Sequence, residues 1–465
     1  MSEAFINLWY LVAAVLLILG LKGMTHPRTA VRGNLAASLG MLIAIVVTLL
    51  DHRIIDFRVI VAGLVTGGLV GVVMAYLSPM TAMPQVVAIF NGFGGGASAL
   101  AVGAALEEAL KGGFVEEISI QFTLAAAMSG LIGGVSFTGS AVAFGKLQGL
   151  ISEKPLLLPG RHVLNALLLI VCLVLSGWLV VQPDTSVGFW AMCGFAALLG
   201  VMLVIPIGGA DMPVVIALLN SYSGLAAAGH GWVLNNSVLI IAGSLVGAAG
   251  FILTAIMSRA MNRSLPNIIF AGVGAEVATA EDAEDVYATV KQASPEEVAM
   301  MLDVARRVIV VPGYGMAVAQ AQYAVRDLCN ELMARGADVQ FAIHPVAGRM
   351  PGHMNVLLAE AHIPYEVLKD LDEINPTFAQ ADVVLVIGAN DVVNPLARQA
   401  DPSIPIAGMP ILDVDQARSV VIIKRSLSPG FAGIHNPLFG APNALMLFAD
   451  AKEALRDLIA ALKEV

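Results

Sequence analysis

Between Val59 and Leu110 the chain carries no Lys or Arg, and between His162 and Ser258 there is again none. Apolar stretches of that length belong in lipid, where a helix crosses the hydrocarbon core with about 20 apolar residues. Apolar runs between polar breaks predict nine spans, at 4–21, 33–50, 55–77, 84–106, 120–143, 163–182, 187–205, 212–230 and 234–258. Of the 465 residues only 13% are charged, against about 25% in soluble domains, and those charges crowd towards the C-terminal end. The expected organisation is therefore a transmembrane domain over 1–262, a hinge and acidic linker over 263–295, and a soluble domain over 296–465.

The fourth and fifth spans, with FNGFGGGASALAVG and SGLIGGVSFTGSAVAFG, are rich in small residues that let helices approach closely, which places them inside the bundle. Polar groups at membrane depth are costly and mark candidate functional positions. These are Asn91, Asp211 in the helix-breaking PIGGADMPVV, and Asn220, Ser221 and Ser223 in LNSYSG. For each the competing reading is a helix-to-helix hydrogen bond or, for Asp211, a cap. With nine spans the two ends lie on opposite sides. Loops on the C-terminal side hold Lys22, Arg28, Arg32, Lys146, Lys154, Arg161, Arg259 and Arg263, against Arg53, Arg58 and Lys111 on the other. The excess of basic residues predicts a cytoplasmic C-terminal domain and an external N-terminus. The first apolar run lacks the basic flank and small-residue cleavage site of a signal peptide. Cys172, Cys193 and Cys329 have no motif spacing and read as small buried apolar residues. The net charge of −10 argues against a nucleic-acid partner.

From Arg306 the pattern changes to short β-branched runs alternating with amphipathic helices, the signature of a parallel α/β sheet. Strands are predicted at 308–311, 339–343, 365–368, 383–387, 404–406, 420–423 and 445–448, and helices at 315–335, 351–361, 373–380 and 450–463. In the first helix Val318, Tyr323, Val325, Leu328 and Leu332 form the expected sheet-packing face. Ligands of such sheets bind outside the carboxyl ends of the strands. Those ends carry PGYGM, HPVAGRMPG, GAND, AGMP, KRSLSPGFAG and the pair Asp450-Ala451. Gly313-Tyr314-Gly315 ends its fingerprint at Val318, where the dinucleotide pattern wants Gly or Ala. The end of the second strand reads His344-Pro345, with no acid for a ribose 2′-hydroxyl. The strand before Lys424-Arg425-Ser426 instead delivers two cations and a hydroxyl suited to a phosphate monoester, which favours NADP over NAD. His344, His353, His362 and His435 lack metal-ligand spacing, so no metal site is expected and surface or packing roles are the default. Neither an acid–base pair nor a Ser–His–Asp set is evident.

PGYGMAVAQAQY, HPVAGRMPGHMNVLLAEA, VLVIGANDVVNP, PIAGMP and KRSLSPGFAG, with GGADMPVV, LNSYSG and AMNRS upstream, closely resemble the β subunit of proton-translocating NAD(P) transhydrogenase over essentially the whole chain. The resemblance implies a polytopic membrane domain followed by a Rossmann-like domain that binds NADP(H). It implies hydride exchange with NAD(H) on a separate α-type subunit, with or without a separate small membrane subunit, a dimer of protomers in a bacterial inner membrane, and coupling to proton flow. By the same resemblance Gly313, Tyr314, Gly315, Val318, Val346, Ala347, Gly348, Arg349, Met350 and Pro351 line the cofactor. Gly388, Ala389, Asn390, Asp391, Val392, Gly408 and Met409 meet it at the strand ends. Lys424 and Arg425 hold the 2′-phosphate, Ser426, Leu427, Ser428, Pro429, Gly430 and Phe431 form a lid, and Asp450 with Ala451 closes the site. Asn91, Asp211, Asn220, Arg263 and Ser264 match positions tied to coupling. Many members carry a membrane His at the position of Asn91, and some carry Tyr at Phe431. The competing reading is a transporter or channel with a nucleotide-sensing domain.

Overall fold

The computed structural model describes residues 3–25, 27–50, 57–111, 118–152, 155–183, 185–262, 264–270, 289–350, 352–399, 404 and 406–465. Arg263, Pro351 and most of the acidic linker thus lie outside the described residues. The chain divides into two compact units, one of residues 1–207 and 215–254, the other of 208–214 and 255–465.

Among the described residues nine helices are long and apolar enough to cross a membrane. They are α1 (Glu3–Met24), α2 (Pro27–Leu49), α3 (Phe57–Leu77), α4 (Met83–Lys111), α5 (Ile120–Leu147), α6 (Arg161–Val181), α7 (Val187–Val204), α8 (Met212–Val233) and α9 (Ser237–Ala260). Glycine sets how closely α4 and α5 meet. A Cβ on Gly133 would lie 2.5 Å from the Gly95 carbonyl oxygen, and one on Gly95 would lie 2.8 Å from that of Gly133. The hydroxyls follow the same economy: Ser129 donates to the Ala226 carbonyl at 2.9 Å and Ser136 to that of Leu219 at 3.2 Å. By contrast α3 buries no side chain, and Cβ atoms on its Gly63, Gly67, Gly68 and Gly71 would meet nothing within 4 Å.

Lys146 departs from its expected place in a loop. It lies in the last turn of α5, fully buried, and its Nζ donates to the carbonyls of Ile205 at 2.6 Å and Ile207 at 2.7 Å. The end of α7 frees those carbonyls, and an ammonium satisfies them while meeting the negative end of the helix dipole.

Among the described residues the C-terminal domain has six parallel strands in the order β3-β2-β1-β4-β5-β6. They are β1 (Arg307–Pro312), β2 (Asp338–Ile343), β3 (Leu368–Asp370), β4 (Val383–Ile387), β5 (Ser419–Lys424) and β6 (Ala444–Phe448). Alternate residues of each strand feed two cores. Val308, Val310, Phe341, Leu385 and Ile423 pack against helices α11 (Pro295–Asp303), α13 (Gln322–Ala334), α14 (His353–Glu360) and α16 (Ala451–Glu464). Ile309, Val311, Val384, Val386 and Ile422 pack on the other side against Ile374, Phe378, Leu438 and Phe439. The crossovers leave β1 and β4 in opposite directions, which opens a crevice at their carboxyl ends. Two shorter helices, α10 (Leu265–Phe270) and α12 (Tyr314–Val318), and the turn α15 (Leu371–Ile374) complete the set. Upstream of α11, the chain rejoins the sheet where the Met446 N–H donates to Lys291 and the Ala293 N–H to Met446.

Four expectations need correction. The described residues of the 404–406 segment are not strand: Ile404 lies in a bend and Ile406 in a turn, the Ala407 N–H donating to the Ile404 carbonyl at 3.0 Å, and Ile406 packs with Ala397, Met409, Ile411 and Ile434 in a satellite core. The third strand begins at Leu368, after a 3-10 turn over Tyr365–Val367. The first long helix is broken after Val318, because Gln320 adopts φ 48°. Val318 and Tyr323 consequently face outwards, at 51% and 42% exposure, while Val325, Leu328 and Leu332 keep the sheet-facing role. The 373–380 helix is likewise a short α-turn followed by 3-10 helix.

Gly133→Leu should force α4 and α5 apart, an overpacking cost of about 1–3 kcal/mol or more. The thermal midpoint of the purified protein in detergent should fall, whereas Gly67→Leu on the open face of α3 should leave it within error.

Candidate functional site

The crevice is built by backbone. At the end of β1 the Gly313 N–H donates to the Ile387 carbonyl and the Gly315 N–H to the Gly388 carbonyl, both at 2.9 Å. A Cβ on Gly313 would stand 2.4 Å from Ala389 Cα, and one on Gly388, whose φ is 66°, would stand 2.4 Å from Gly315 Cα. Only glycine permits this approach. It brings Tyr314, at the start of α12, over the end of β4.

Tyr314 is one layer of a stack. The Arg349 guanidinium lies 4.5 Å from the centroid of its ring and 5.7 Å from that of Phe431, and the two rings are 5.6 Å apart. Through Arg349 and Phe431 the loop after β2 and the loop after β5 therefore meet the glycine turn after β1.

The loop after β4 carries the buried carboxylate. Asp391 Oδ2 accepts from the Ala432 N–H at 3.0 Å, and a Cβ on Gly430 would lie 2.4 Å from Asp391 Oδ1, so the loop after β5 presses directly on this side chain. Burial holds the Asp391 carboxyl above its usual range, opposed by the Ala432 amide and the charge of Lys424. Burial likewise lowers the Lys424 ammonium to about 8, against the pull of Asp391. Lys424 lies 5.0 Å from the Phe439 ring centroid and donates to the Ser428 carbonyl, while Arg425, Ser426 and Ser428 are exposed. Ser426 and Ser428 share a hydroxyl contact of 2.9 Å. The strand end thus presents two cations and two hydroxyls on a loop that folds back over them.

Other predicted positions sit at the margins. Ala389 and Val392 belong to the core beneath the crevice, and Ala347 and Ala451 to the core on the opposite face of the sheet. Gly408 turns with φ 70° and donates to the Ala397 carbonyl at 2.7 Å, and Met409 fills the satellite core. Asp450 caps α16, its Oδ1 accepting from the Lys452 N–H at 3.0 Å. Val318 ends α12 and is exposed. In the membrane unit Asn91 is buried and donates to the Ile216 carbonyl at 3.2 Å. The Asn220 carbonyl accepts from Ser223, Asp211 ends a 3-10 turn over Gly209–Asp211, and Ser264 Oγ accepts from the Asn267 N–H.

Sequence reasoning missed two devices. One is a repeated Asn-Pro-Leu. Asn394 and Asn436 each accept from the N–H two residues on at 3.0 Å, starting a 3-10 helix. Their amides then brace the site: Asn394 Nδ2 holds the His435 carbonyl at 2.9 Å and Asn436 Nδ2 holds Asn390 at 3.1 Å. The repeat was the available signal. The other is the pair His344 and His353, both buried.

A glycine-pinched crevice at the switch point of a parallel sheet, with cations at a neighbouring strand end, defines a dinucleotide-type binding domain carried by a polytopic membrane protein. Residues 6–461 match the family model for the NAD(P) transhydrogenase beta subunit. Two curated relatives from Rhodospirillum rubrum and one of its strains, each named NAD(P) transhydrogenase subunit beta, are 50% identical over 457 residues, covering 97% of this chain and 98% of theirs. The chain belongs to the NAD(P) transhydrogenase beta subunit family. The reading as a nucleotide-sensing transporter or channel is accordingly set aside.

The raised carboxyl of Asp391 has a signed consequence. The folded state keeps this proton to a higher pH than the unfolded chain, whose carboxyl titrates at ~4. Its stability contribution is therefore lost as pH rises from there towards the raised folded value. Asp391→Asn should increase protection of the β4 amides in hydrogen exchange at neutral pH. That gain should vanish at pH values below the ordinary carboxylate range.

Proposed function

We propose that this chain is the NADP(H)-binding subunit of a membrane transhydrogenase and couples hydride exchange with NADH, held on a separate α-type subunit, to proton movement. The observation that carries the reading is the convergence of Gly313–Gly315, the 346–350 loop and the Lys424–Phe431 segment on one crevice. The residues fit such a cofactor. The glycine pinch leaves backbone N–H groups within reach of phosphate oxygens, and buried Asn390 Nδ2 has no hydrogen-bond partner among the described residues. Lys424 and Arg425 offer cations to a 2′-phosphate that NAD lacks. Tyr314, Arg349 and Phe431 shield the crevice from water. The nicotinamide supplies the hydride chemistry, so the protein needs no acid–base pair; it needs two rings held together and dry.

Coupling is physically required, because the two nicotinamide couples are nearly isoenergetic and the exchange supplies little drive of its own. In this reading Asp211, Asn220, Arg263 and Ser264 link proton state to the binding domain. Since Asn91 cannot carry a proton, a helix of a partner subunit, Asp211 or another group of this chain supplies the ionisable group. The open glycine face of α3 suits such a partner helix. The assembly is a dimer of protomers, with an α-type partner made of one or two polypeptides. It lies in a bacterial inner membrane with the N-terminus outside and the binding domain cytoplasmic, as the loop charges favour.

Lys424→Ala with Arg425→Ala should weaken NADP+ binding by about 10–100-fold, the loss of charge-assisted contacts, and leave NAD+ binding as it was. Titration of the assembled enzyme would show this; equal NADP+ affinity would refute the assignment. Because Lys424 titrates near 8 and a bound phosphate favours its charged form, NADP+ affinity should fall as pH rises through that value, and the double variant should lose this dependence. Asp211→Asn should reduce proton-coupled turnover in vesicles more than it reduces cofactor affinity; undiminished pumping would leave Asp211 a structural residue.

A further inference from the structure

The loop that brings Arg349 over Tyr314 is held by a histidine at each end. His344, 2% exposed, follows β2 directly. Its Nδ1 accepts from the Val346 N–H at 3.2 Å, and its Nε2 lies 2.7 Å from the Pro410 carbonyl. Only the tautomer with its proton on Nε2 makes both contacts. His353, 1% exposed, opens α14, and its Nδ1 accepts from the Arg349 N–H at 3.1 Å. A ring nitrogen that accepts must be unprotonated, so His353 also carries its proton on Nε2. That atom is buried and has no hydrogen-bond partner among the described residues. Burial lowers both imidazoles to about 4, with the charge of Arg349 adding to the effect at His353. Both rings are thus fixed neutral acceptors and not proton switches.

His353 touches the loop at its sharpest point. Gly348 adopts φ 103°, and a Cβ there would lie 2.5 Å from His353 Nδ1. The next residue is Arg349, whose amide the ring receives and whose guanidinium caps the Tyr314 ring. The His353 ring itself lies 6.5 Å from that of Tyr314. The buried ring therefore sets both the turn and the direction in which the Arg349 side chain leaves it.

We propose that His353, through its Nδ1 acceptor, is the positioning residue that sets the Gly348–Arg349 turn and so tunes affinity for NADP(H). This rests on the proposed placement of that cofactor in the crevice. An acceptor in the same place is available from Asn, whose amide oxygen overlies Nδ1, but not from Gln, whose amide reaches further, nor from Leu.

The test uses the full chain assembled with its NAD(H)-binding partner, with steady-state hydride exchange and NADP+ titration as readouts. His353→Leu and His353→Gln should raise the apparent KM for NADP+ about tenfold, the loss of one buried hydrogen bond and the order it imposes, with kcat falling by a smaller factor. His353→Asn should recover most of that loss. The inference is overturned if Asn is as impaired as Leu, or if Gln binds as the unaltered chain does. Should Leu fail to assemble, the contrast between Asn and Gln decides the matter in the same way. The double variant of Lys424 and Arg425, run alongside, separates the two claims. If it too leaves the KM for NADP+ unchanged, the site placement fails; if it weakens binding while every His353 variant is neutral, only the role of His353 fails.

Discussion

The contact between the ends of β1 and β4 is the constraint on which the soluble half depends. Two glycine backbones cross there with no room for a Cβ on either, and the hydrogen bonds from Gly313 and Gly315 continue the ladder past the last paired residues. That closure turns the chain out of the sheet at the switch point, where α12 begins. Tyr314 arrives above the crevice because of it, and the stack with Arg349 and Phe431 follows. The two cations at the end of β5 stand one strand further along. An ordinary side chain at Gly313 would displace the layers above it together.

In the membrane half the same economy operates without a hydrophobic drive. Lipid tails are as apolar as the helices, so close approach has to come from small residues and from hydroxyls that reach across. The Gly95–Gly133 crossing and the serine contacts of α5 meet that need. Lys146 is the exception in size and charge. It is tolerated at zero exposure because the end of α7 offers two carbonyls in the right place, a pairing that exchanges a desolvation cost for a local fit.

The nine spans were legible because twenty apolar residues in a row leave few alternatives. The sheet was legible because its strands are buried on both faces and read as unbroken β-branched runs. Local backbone choices were not. Gln320 takes a left-handed conformation in a run, Ala-Gln-Ala, with no glycine or proline to announce it, and Ile404 and Ile406 read as strand residues until the Ala407 N–H is seen to close a turn on the Ile404 carbonyl. For the crevice, glycines and charges at strand ends could be read from the chain, since each type has a reason to be there. Partners could not. His353 and Lys146 are single letters until the fold shows which main-chain groups they meet, and the twin Asn-Pro-Leu segments gain meaning only once their amides are seen to cross.

Those crossing amides also limit how the loop after β5 can travel. One foot stands on the strand itself; the other is tied where Asp391 holds Ala432 and Asn394 holds His435. Between them lies a leash from Arg425 to Phe431, with an extended reach of about 25 Å at most. A tether fixed at both feet behaves as an arch. If the cofactor lies in the crevice as proposed, it enters and leaves beneath that arch, and exchange is paced by how far the arch rises and not by the swing of a one-sided door.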